Sequence, residues 1–323
     1  MLSWSCNRAA VRVPAWLEAS SAGKHQLESL SGHLPRISQG KLLREVSSWG
    51  VGGPAKLFCE VHHELQLASA LSYCNEQSIP FLVIGKGSNC LFDDRGFDGC
   101  IILNRLSFLK RLASGVYQVG SGYPFNVLGV QTANDGFTGL EFASGIPGTV
   151  GGAVYMNAGA DGQETASALK SVEVITVFGM KCKISREELV FGYRSSPFQN
   201  AQGFAAISSA TFALTSSANS REEQRKFLNR RKQTQPLGER SAGCVFKNPG
   251  SGCQSAGSFI DKAGLKGMSI GGAKVSEVHA NFITNACNSS AKDMMELISL
   301  VKEQVRSKFG VELEEEFIYI PFR

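Results

Sequence analysis

The sequence predicts a mixed α and β fold in two domains, and three observations carry that prediction. At 323 residues, 43% of them apolar and 19% charged, the chain is long enough to bury two hydrophobic cores. Between Ala55 and Leu103 strand-like and helix-like segments alternate in β-α-β order, which implies a parallel strand pair with a crossover helix. From Arg221 to Arg231 a stretch dense in Glu and Arg reads as a charged helix bridging one domain to the next. On this pattern residues 1–41 are an N-terminal extension, 42–216 the first domain and 217–323 a smaller α+β domain.

The elements follow in order. The first domain opens on a strand-like run, Lys56–Val61, then an amphipathic helix near Glu64–Glu76 and an apolar strand Phe81–Ile84. A Gly-rich turn and a strand at Cys100–Leu103 complete the unit. A helix near Pro124–Asp135 accompanies strand-like segments at Val116–Val119, Val172–Val177, Lys181–Ile184 and Ala205–Leu214. The second domain holds a strand Cys244–Lys247, a helix near Ser258–Ala263, a strand Asn281–Asn285, a helix over 291–308 and a final strand Phe317–Ile320. No internal repeat or low-complexity linker interrupts them.

Composition excludes several functions. No run approaches the roughly 18–20 apolar residues of a membrane-spanning helix. Most of the +5 formal charge falls within residues 1–44, so the rest of the chain has no electrostatic footprint for nucleic acid. Nine cysteines without a Cys-x-x-Cys pair fit neither a zinc ribbon nor a dense disulfide framework, and point to a reducing compartment. His25, His33, His62, His63 and His279 lack metal-ligand spacing, and no metal site is expected. Nothing in the sequence specifies an oligomeric state.

Three glycine-rich segments stand out. Gly85-Lys86-Gly87-Ser88-Asn89 follows an apolar strand, where glycines let backbone N–H groups approach phosphate oxygens. It is neither a P-loop nor the dinucleotide fingerprint, because Cys90 stands at the third glycine position. The second, Ser144-Gly145-Ile146-Pro147-Gly148 with Gly151 and Gly152, offers a tight backbone surface with free N–H donors; helix packing is the alternative use of its glycines. Trp49-Gly50-Val51-Gly52-Gly53 precedes the first strand. Three such loops within about 110 residues favour a pyrophosphate-bearing cofactor over separate structural turns.

These blocks, together with Leu140–Gly148, Gly192–Phe198, Ala242–Pro249 and Leu313–Glu316, resemble the UDP-N-acetylenolpyruvoylglucosamine reductase (UDP-N-acetylmuramate dehydrogenase) family. They occur in the family's order over some 280 residues from about Leu42 onward. The resemblance implies a two-part FAD-binding domain of the p-cresol-methylhydroxylase/vanillyl-alcohol-oxidase type, followed by a substrate-binding domain. It implies that the Gly85–Asn89 and Ser144–Gly152 segments embrace the FAD, with Val51 and Cys90 beside them. No His or Cys lies within Gly85–Asn89 to link the flavin, so non-covalent FAD is expected, with NADPH as hydride donor. Only 50 positions separate Arg194 from Cys244, which resembles the subtype without the tyrosine-bearing substrate cap.

Arg194 precedes the turn sequence Ser195-Ser196-Pro197, at an element end where active-site residues gather, although most arginines are simply solvated. The resemblance makes it the catalytic arginine of a Tyr-Arg-x-Ser block, with Tyr193 beside it at the substrate. A lone cysteine is ordinarily a small buried residue. The resemblance makes Cys244 the proton donor, a position held by serine or cysteine in the family, and a thiol of reference pKa about 8.5 suits that role. By itself the Glu314-Glu315-Glu316 cluster reads as a solvated strand entry, Glu314 and Glu316 on one face. The family's Leu-Glu-x-Glu motif makes Glu316 catalytic; Glu315 occupies a position often taken by Pro. Lys247, Asn248, His279 and Asn281 are candidates for the nucleotide-sugar, with ordinary solvated polar residues as the alternative.

The expected reaction is reduction of UDP-N-acetylglucosamine enolpyruvate to UDP-N-acetylmuramate. The alternatives are another flavin oxidoreductase of the same architecture acting on a sugar or hydroxy acid, or a catalytically silent binding descendant. Residues 1–25 are basic, Ser-containing and nearly acid-free, as in an organellar transit peptide. Given the family, the coherent destination is a plastid; a cytoplasmic enzyme with an ordinary N-terminal extension is the alternative.

Overall fold

The computed structural model describes residues 25–26, 32–250 and 254–322. The targeting segment expected over residues 1–25 therefore lies, apart from His25, outside the described residues. The chain divides into two compact units that interleave along the sequence. The first comprises Leu57–Gly85, Gly99–Leu228 and the described residues before Gln39; the second comprises Gln39–Lys56, Lys86–Asp98 and the chain from Asn229 onward. This division differs from the contiguous domains 42–216 and 217–323 read from sequence order. Long-range bonds within the second unit are the cause. The fully buried Trp49 donates its indole N–H to the Ile283 carbonyl at 2.7 Å, and Cys90–Phe92 pairs in parallel with Ile318–Ile320.

The first unit holds a six-stranded antiparallel sheet in the order His25–Gln26, Met180–Ser185, Leu169–Thr176, Phe204–Ala213, Val116–Gly120, Leu109–Ala113. Phe204–Ala213 is buried along almost its whole length, as suits a central strand made of small and apolar residues. Its two serine hydroxyls are satisfied inside the sheet: Ser209 Oγ donates to Glu173 Oε2 at 2.7 Å and Ser208 Oγ to the Glu173 carbonyl at 3.3 Å. Leu109–Ala113, absent from the sequence expectation, is a mostly exposed edge strand whose Lys and Arg mask its pattern. Val119, Phe125, Leu128, Phe142, Val172 and Phe212 pack the core of this sheet.

The helix Glu64–Glu76 buries Leu67, Ala68, Leu71 and Cys74 in a second core with Cys59, Cys100 and Ile102. The strands on either side of this crossover helix are not neighbours. Phe97–Asn104 lies between Pro54–Val61 and Phe81–Ile84 and is the parallel partner of the latter, from Phe81 opposite Cys100 to Ile84 opposite Leu103. The crossover skips one position, and the strand that fills it is buried residue after residue from Gly99 to Asn104.

The second unit holds a four-stranded sheet in the order Ser241–Cys244, Phe282–Asn285, Ala273–Val275, Ser269–Ile270. The helix Ala291–Phe309 covers its core with Met294, Leu297, Ile298, Val301 and Val305, the three- and four-residue spacing of one helical face. Burial of each such side chain stabilises the fold by about 1.5–3 kcal/mol. Ser290 and Asp293 form its capping box, Asp94 accepts from the N–H groups of Ala291 (2.8 Å) and Lys292 (3.2 Å), and Gly310 at φ 68° ends it. The expected strand Cys244–Lys247 is shifted: regular pairing stops at Cys244 after a register slip, where Gly243 takes φ 82°.

Candidate active site

In the first unit the two glycine-rich segments meet at Thr149. Gly85 ends the Phe81–Ile84 strand, and a Cβ there would stand 2.3 Å from Thr149 Oγ1. Thr149 caps the short helix Val150–Tyr155, accepting from the Gly152 N–H at 3.4 Å. Ser144 is buried with its hydroxyl given to the Glu141 carbonyl at 2.6 Å, and Ile146 N–H bonds back to Ala143. The glycines divide by use. Gly151 gives its N–H to the Ser121 carbonyl at 2.8 Å and has no room for a Cβ, which would lie 2.9 Å from Ser121 Cβ. The free donor expected there is thus spent on packing. Gly152 is exposed, and a Cβ on it would meet nothing nearer than Thr149 Oγ1 at 3.6 Å. Packing does not require a glycine at 152; its N–H and carbonyl are bonded within the helix, and the open space at its exposed Cα is what fits the close approach of a flavin pyrophosphate.

The same helix leads to Arg194. Its Tyr155 carbonyl accepts from Ser196 Oγ at 2.6 Å and from Gln199 Nε2 at 3.0 Å. Gly192 and Ser195 exchange two backbone bonds, at 3.0 and 3.1 Å, so that Tyr193 and Arg194 form the tip of a two-residue turn. Arg194 stands at φ 52°, the left-handed region that glycine or asparagine ordinarily fills. Its guanidinium lies 5.0 Å from the Tyr193 ring centre and donates to the Gly159 carbonyl at 3.0 Å. Tyr193 is exposed.

The second unit contains the remaining sequence-predicted residues and draws most of them onto adjacent backbone. Gly87, buried at φ 59°, accepts from Ser48 N–H at 3.1 Å, which joins the Trp49–Gly53 segment to the Lys86–Asn89 loop. Val51 is buried, Lys86 exposed and Ser88 half-buried. Burial pushes the Cys90 thiol up to about 12. Asn89 reaches from this loop to the C-terminal segment: its Nδ2 donates to the Glu316 carbonyl at 3.1 Å and its own carbonyl accepts from Ile318 N–H at 2.9 Å.

Glu316 in turn donates its N–H to the Val245 carbonyl at 2.7 Å, with Phe246 opposite Glu315 and Lys247 N–H bonded to Glu314 at 2.8 Å. Cys244, half-buried, thus lies one residue from the backbone contact that holds Glu316. The Glu314 carboxylate pairs with Lys247 and that of Glu315 with Lys302 at 2.6 Å. Asn281 is 3% exposed, and its amide is taken up by Phe246, accepting from the N–H at 3.0 Å and donating to the carbonyl at 2.8 Å. Its side chain holds the Cys244 segment in place. Asn248 accepts from Ala256 N–H at 3.1 Å. Burial, then the Lys266 cation, lowers the His279 pKa, and its Nδ1 accepts from Asn281 N–H at 3.2 Å.

Sequence reasoning missed Asn157, Gln199 and Arg231. Asn157 is fully buried at φ 43° yet reads in sequence as an ordinary turn residue before Ala158-Gly159. Arg231 is half-buried, with its guanidinium near enough to Cys244 for the two charges to interact. Within a charged helix no signal separates it from its neighbours. Among the described residues no group of three His, Cys, Asp or Glu side chains is placed to hold a metal, and no helix is long and apolar enough to cross a membrane.

The glycine-lined segments of the first unit, and in the second a thiol and a carboxylate on chain segments joined by backbone bonds, are the kind of groups an FAD-dependent oxidoreductase uses. Comparison with known proteins agrees. A model of the FAD binding domain matches residues 55–185, and one of the UDP-N-acetylenolpyruvoylglucosamine reductase C-terminal domain matches 235–320. The chain is 50% identical over 281 residues to UDP-N-acetylenolpyruvoylglucosamine reductase of Protochlamydia amoebophila, covering 87% of this chain and 93% of that protein. To the Chlamydia felis reductase it is 44% identical over 297 residues, covering 92% and 99%. The crystal structure of UDP-N-acetylenolpyruvylglucosamine reductase (MurB) from Thermus caldophilus superimposes with a TM-score of 0.75 at 34% identity, over 89% of this chain and 100% of that one. The chain belongs to the UDP-N-acetylenolpyruvoylglucosamine reductase family, and its fold is the expected FAD-binding domain of the p-cresol-methylhydroxylase/vanillyl-alcohol-oxidase type followed by the family's C-terminal domain.

Proposed function

We propose that this chain reduces UDP-N-acetylglucosamine enolpyruvate to UDP-N-acetylmuramate, a step of peptidoglycan precursor synthesis, using FAD and NADPH. The observation that carries the reading is the 2.7 Å bond from Glu316 N–H to the Val245 carbonyl, which puts the segments bearing Cys244 and Glu316 side by side. FAD, when bound, would supply the hydride-transfer chemistry, with NADPH as the source of the hydride. Gly85, Lys86, Gly87, Ser88 and Asn89 would hold it, with Val51, Cys90 and the Ser144–Gly152 segment. A Cys90 thiol kept protonated by burial supports non-covalent attachment.

Cys244 holds the proton given to C2. Arg194 stabilises the substrate carboxylate as it gains enolate character, because its charge is permanent and its fork matches a carboxylate. Glu316, with Arg194, serves the stabilisation of the same enol-like intermediate. Lys247, Asn248 and His279, with Tyr193, contact the nucleotide-sugar, and Asn281 contributes by holding the Cys244 segment. Residues 42–216 serve chiefly the flavin and 217–323 the substrate, without the tyrosine-bearing cap. The match over 235–320 disfavours a sugar oxidase of the same architecture.

The purified protein is expected to be yellow, to release its flavin on acid precipitation, to bleach with NADPH and to regain colour when UDP-N-acetylglucosamine enolpyruvate is added. Bleaching without recovery by that substrate contradicts the reading. The basic, acid-poor composition of residues 1–25 supports a plastid destination. A fusion of residues 1–45 to a fluorescent reporter should enter plastids of a plant cell, and a diffuse cytosolic signal overturns that assignment.

A further inference from the structure

We infer that Asn157, braced by Gln199, is a positioning residue for Arg194: it fixes both the turn that carries the guanidinium and the carbonyl that receives it. The inference rests on the role proposed above for Arg194 in the enolpyruvyl half-reaction.

Asn157 is 0% exposed, and its side-chain amide ties together segments distant in sequence around the Arg194 turn. Its Nδ2 donates to the Gly192 carbonyl at 2.9 Å, at the base of the turn whose tip is Tyr193-Arg194. The same nitrogen donates to Glu164 Oε2 at 2.9 Å, and Oδ1 accepts from Ala166 N–H at 3.0 Å. Glu164 belongs to the small ribbon in which Gly159–Ala160 pairs with Gln163–Glu164. Gly159 of that ribbon is the acceptor of Arg194 Nη2 at 3.0 Å. One buried amide therefore sets the separation between the backbone of Arg194 and the anchor of its head group.

The turn needs such a brace. Arg194 at φ 52° is in a conformation strained for an L side chain, so the turn relaxes unless its surroundings over-determine it. Gln199 supplies a second hold, its Nε2 donating to the Arg194 carbonyl at 3.2 Å and to the Tyr155 carbonyl at 3.0 Å. Asn157 itself stands at φ 43°, which asparagine tolerates and most side chains do not. A buried residue needed for packing alone is better served by an apolar side chain in ordinary backbone.

The test is a double-mutant cycle on the FAD-loaded enzyme, read by stopped-flow for each half-reaction and by the thermal unfolding midpoint. Asn157→Asp keeps the acceptor for Ala166 and the tolerance of φ 43°, and removes the donor to Gly192 and Glu164, setting a carboxylate beside that of Glu164. Gln199→Glu replaces the amide that donates to the Arg194 and Tyr155 carbonyls by a carboxylate, and carries the cycle if the first variant does not fold. Each is expected to leave reduction by NADPH within about twofold of wild type and to slow reoxidation by UDP-N-acetylglucosamine enolpyruvate about tenfold or more. In an Arg194→Ala background neither is expected to slow it further, because the effect passes through Arg194. Wild-type reoxidation in both single variants overturns the inference. So do losses that multiply in the Arg194→Ala background, or a fall of both half-reactions alongside the unfolding midpoint. Arg194→Ala reoxidised at the wild-type rate is a separate result, which overturns the parent reading and the inference with it.

Discussion

The Arg194 turn and the segments bearing Cys244 and Glu316 hold the side chains proposed to react by opposite means. Arg194 sits at φ 52° on a two-residue tip, braced by the side-chain amides of Asn157 and Gln199. Cys244 and Glu316 lie on extended chain held by backbone bonds, Glu316 N–H to Val245 at 2.7 Å and Lys247 N–H to Glu314 at 2.8 Å. A backbone ladder accepts almost any side chain, so the group it presents is exchanged without moving its neighbours. A turn braced by side chains transmits a change at the brace to the group it carries. The glycine-rich loops repeat the contrast: Gly85 faces the side chain of Thr149, and Gly87 faces the backbone carbonyl of Val46.

Alanine substitutions in those loops sharpen the comparison. The largest effect is expected at Gly87, where a Cβ would stand 2.0 Å from the Val46 carbonyl oxygen at φ 59° and no side chain is there to rotate away. Gly87→Ala should cost about 3 kcal/mol or more in denaturant unfolding of the apo-protein. Gly85→Ala is expected to cost about 1 kcal/mol, because Thr149 turns aside at the price of its cap on Gly152. Gly152→Ala comes last: its unfolding free energy should stay level or rise by about 0.5–1 kcal/mol, alanine being the better helix former. Its affinity for FAD, measured by titration, should nevertheless fall. Equal losses at Gly85 and Gly87 break the contrast, and unchanged FAD affinity in Gly152→Ala removes that glycine from the cradle.

Elements whose pattern is local were legible in the sequence. The helix Ala291–Phe309 announces itself through its apolar spacing, its Ser290/Asp293 box and Gly310, and Glu64–Glu76 is as plain. The hairpin Ser269–Ile270 with Ala273–Val275 went unread because its strands are two and three residues long, although Gly271-Gly272 marks its turn. The interleaving of the units was not legible, since Trp49 and its acceptor Ile283 are 234 positions apart. At the site, residue types with a motif around them, Arg194, Cys244 and Glu316, stood out; Asn157 did not, because its importance lies in what its amide joins across the fold. Asn281 was legible as a polar residue near the site, and only its bonds to Phe246 give it a different use.

The central claim is that Cys244, on the backbone-held side of this comparison, supplies the proton of the second half-reaction. Stopped-flow measurement of both half-reactions in Cys244→Ser and Cys244→Ala tests it most directly. Bleaching by NADPH should proceed at the wild-type rate in both variants. Reoxidation by UDP-N-acetylglucosamine enolpyruvate should stay within about tenfold in the serine variant and slow by about 10²-fold or more in the alanine variant, the scale of general acid catalysis. An alanine variant reoxidised as fast as the wild type would contradict the account.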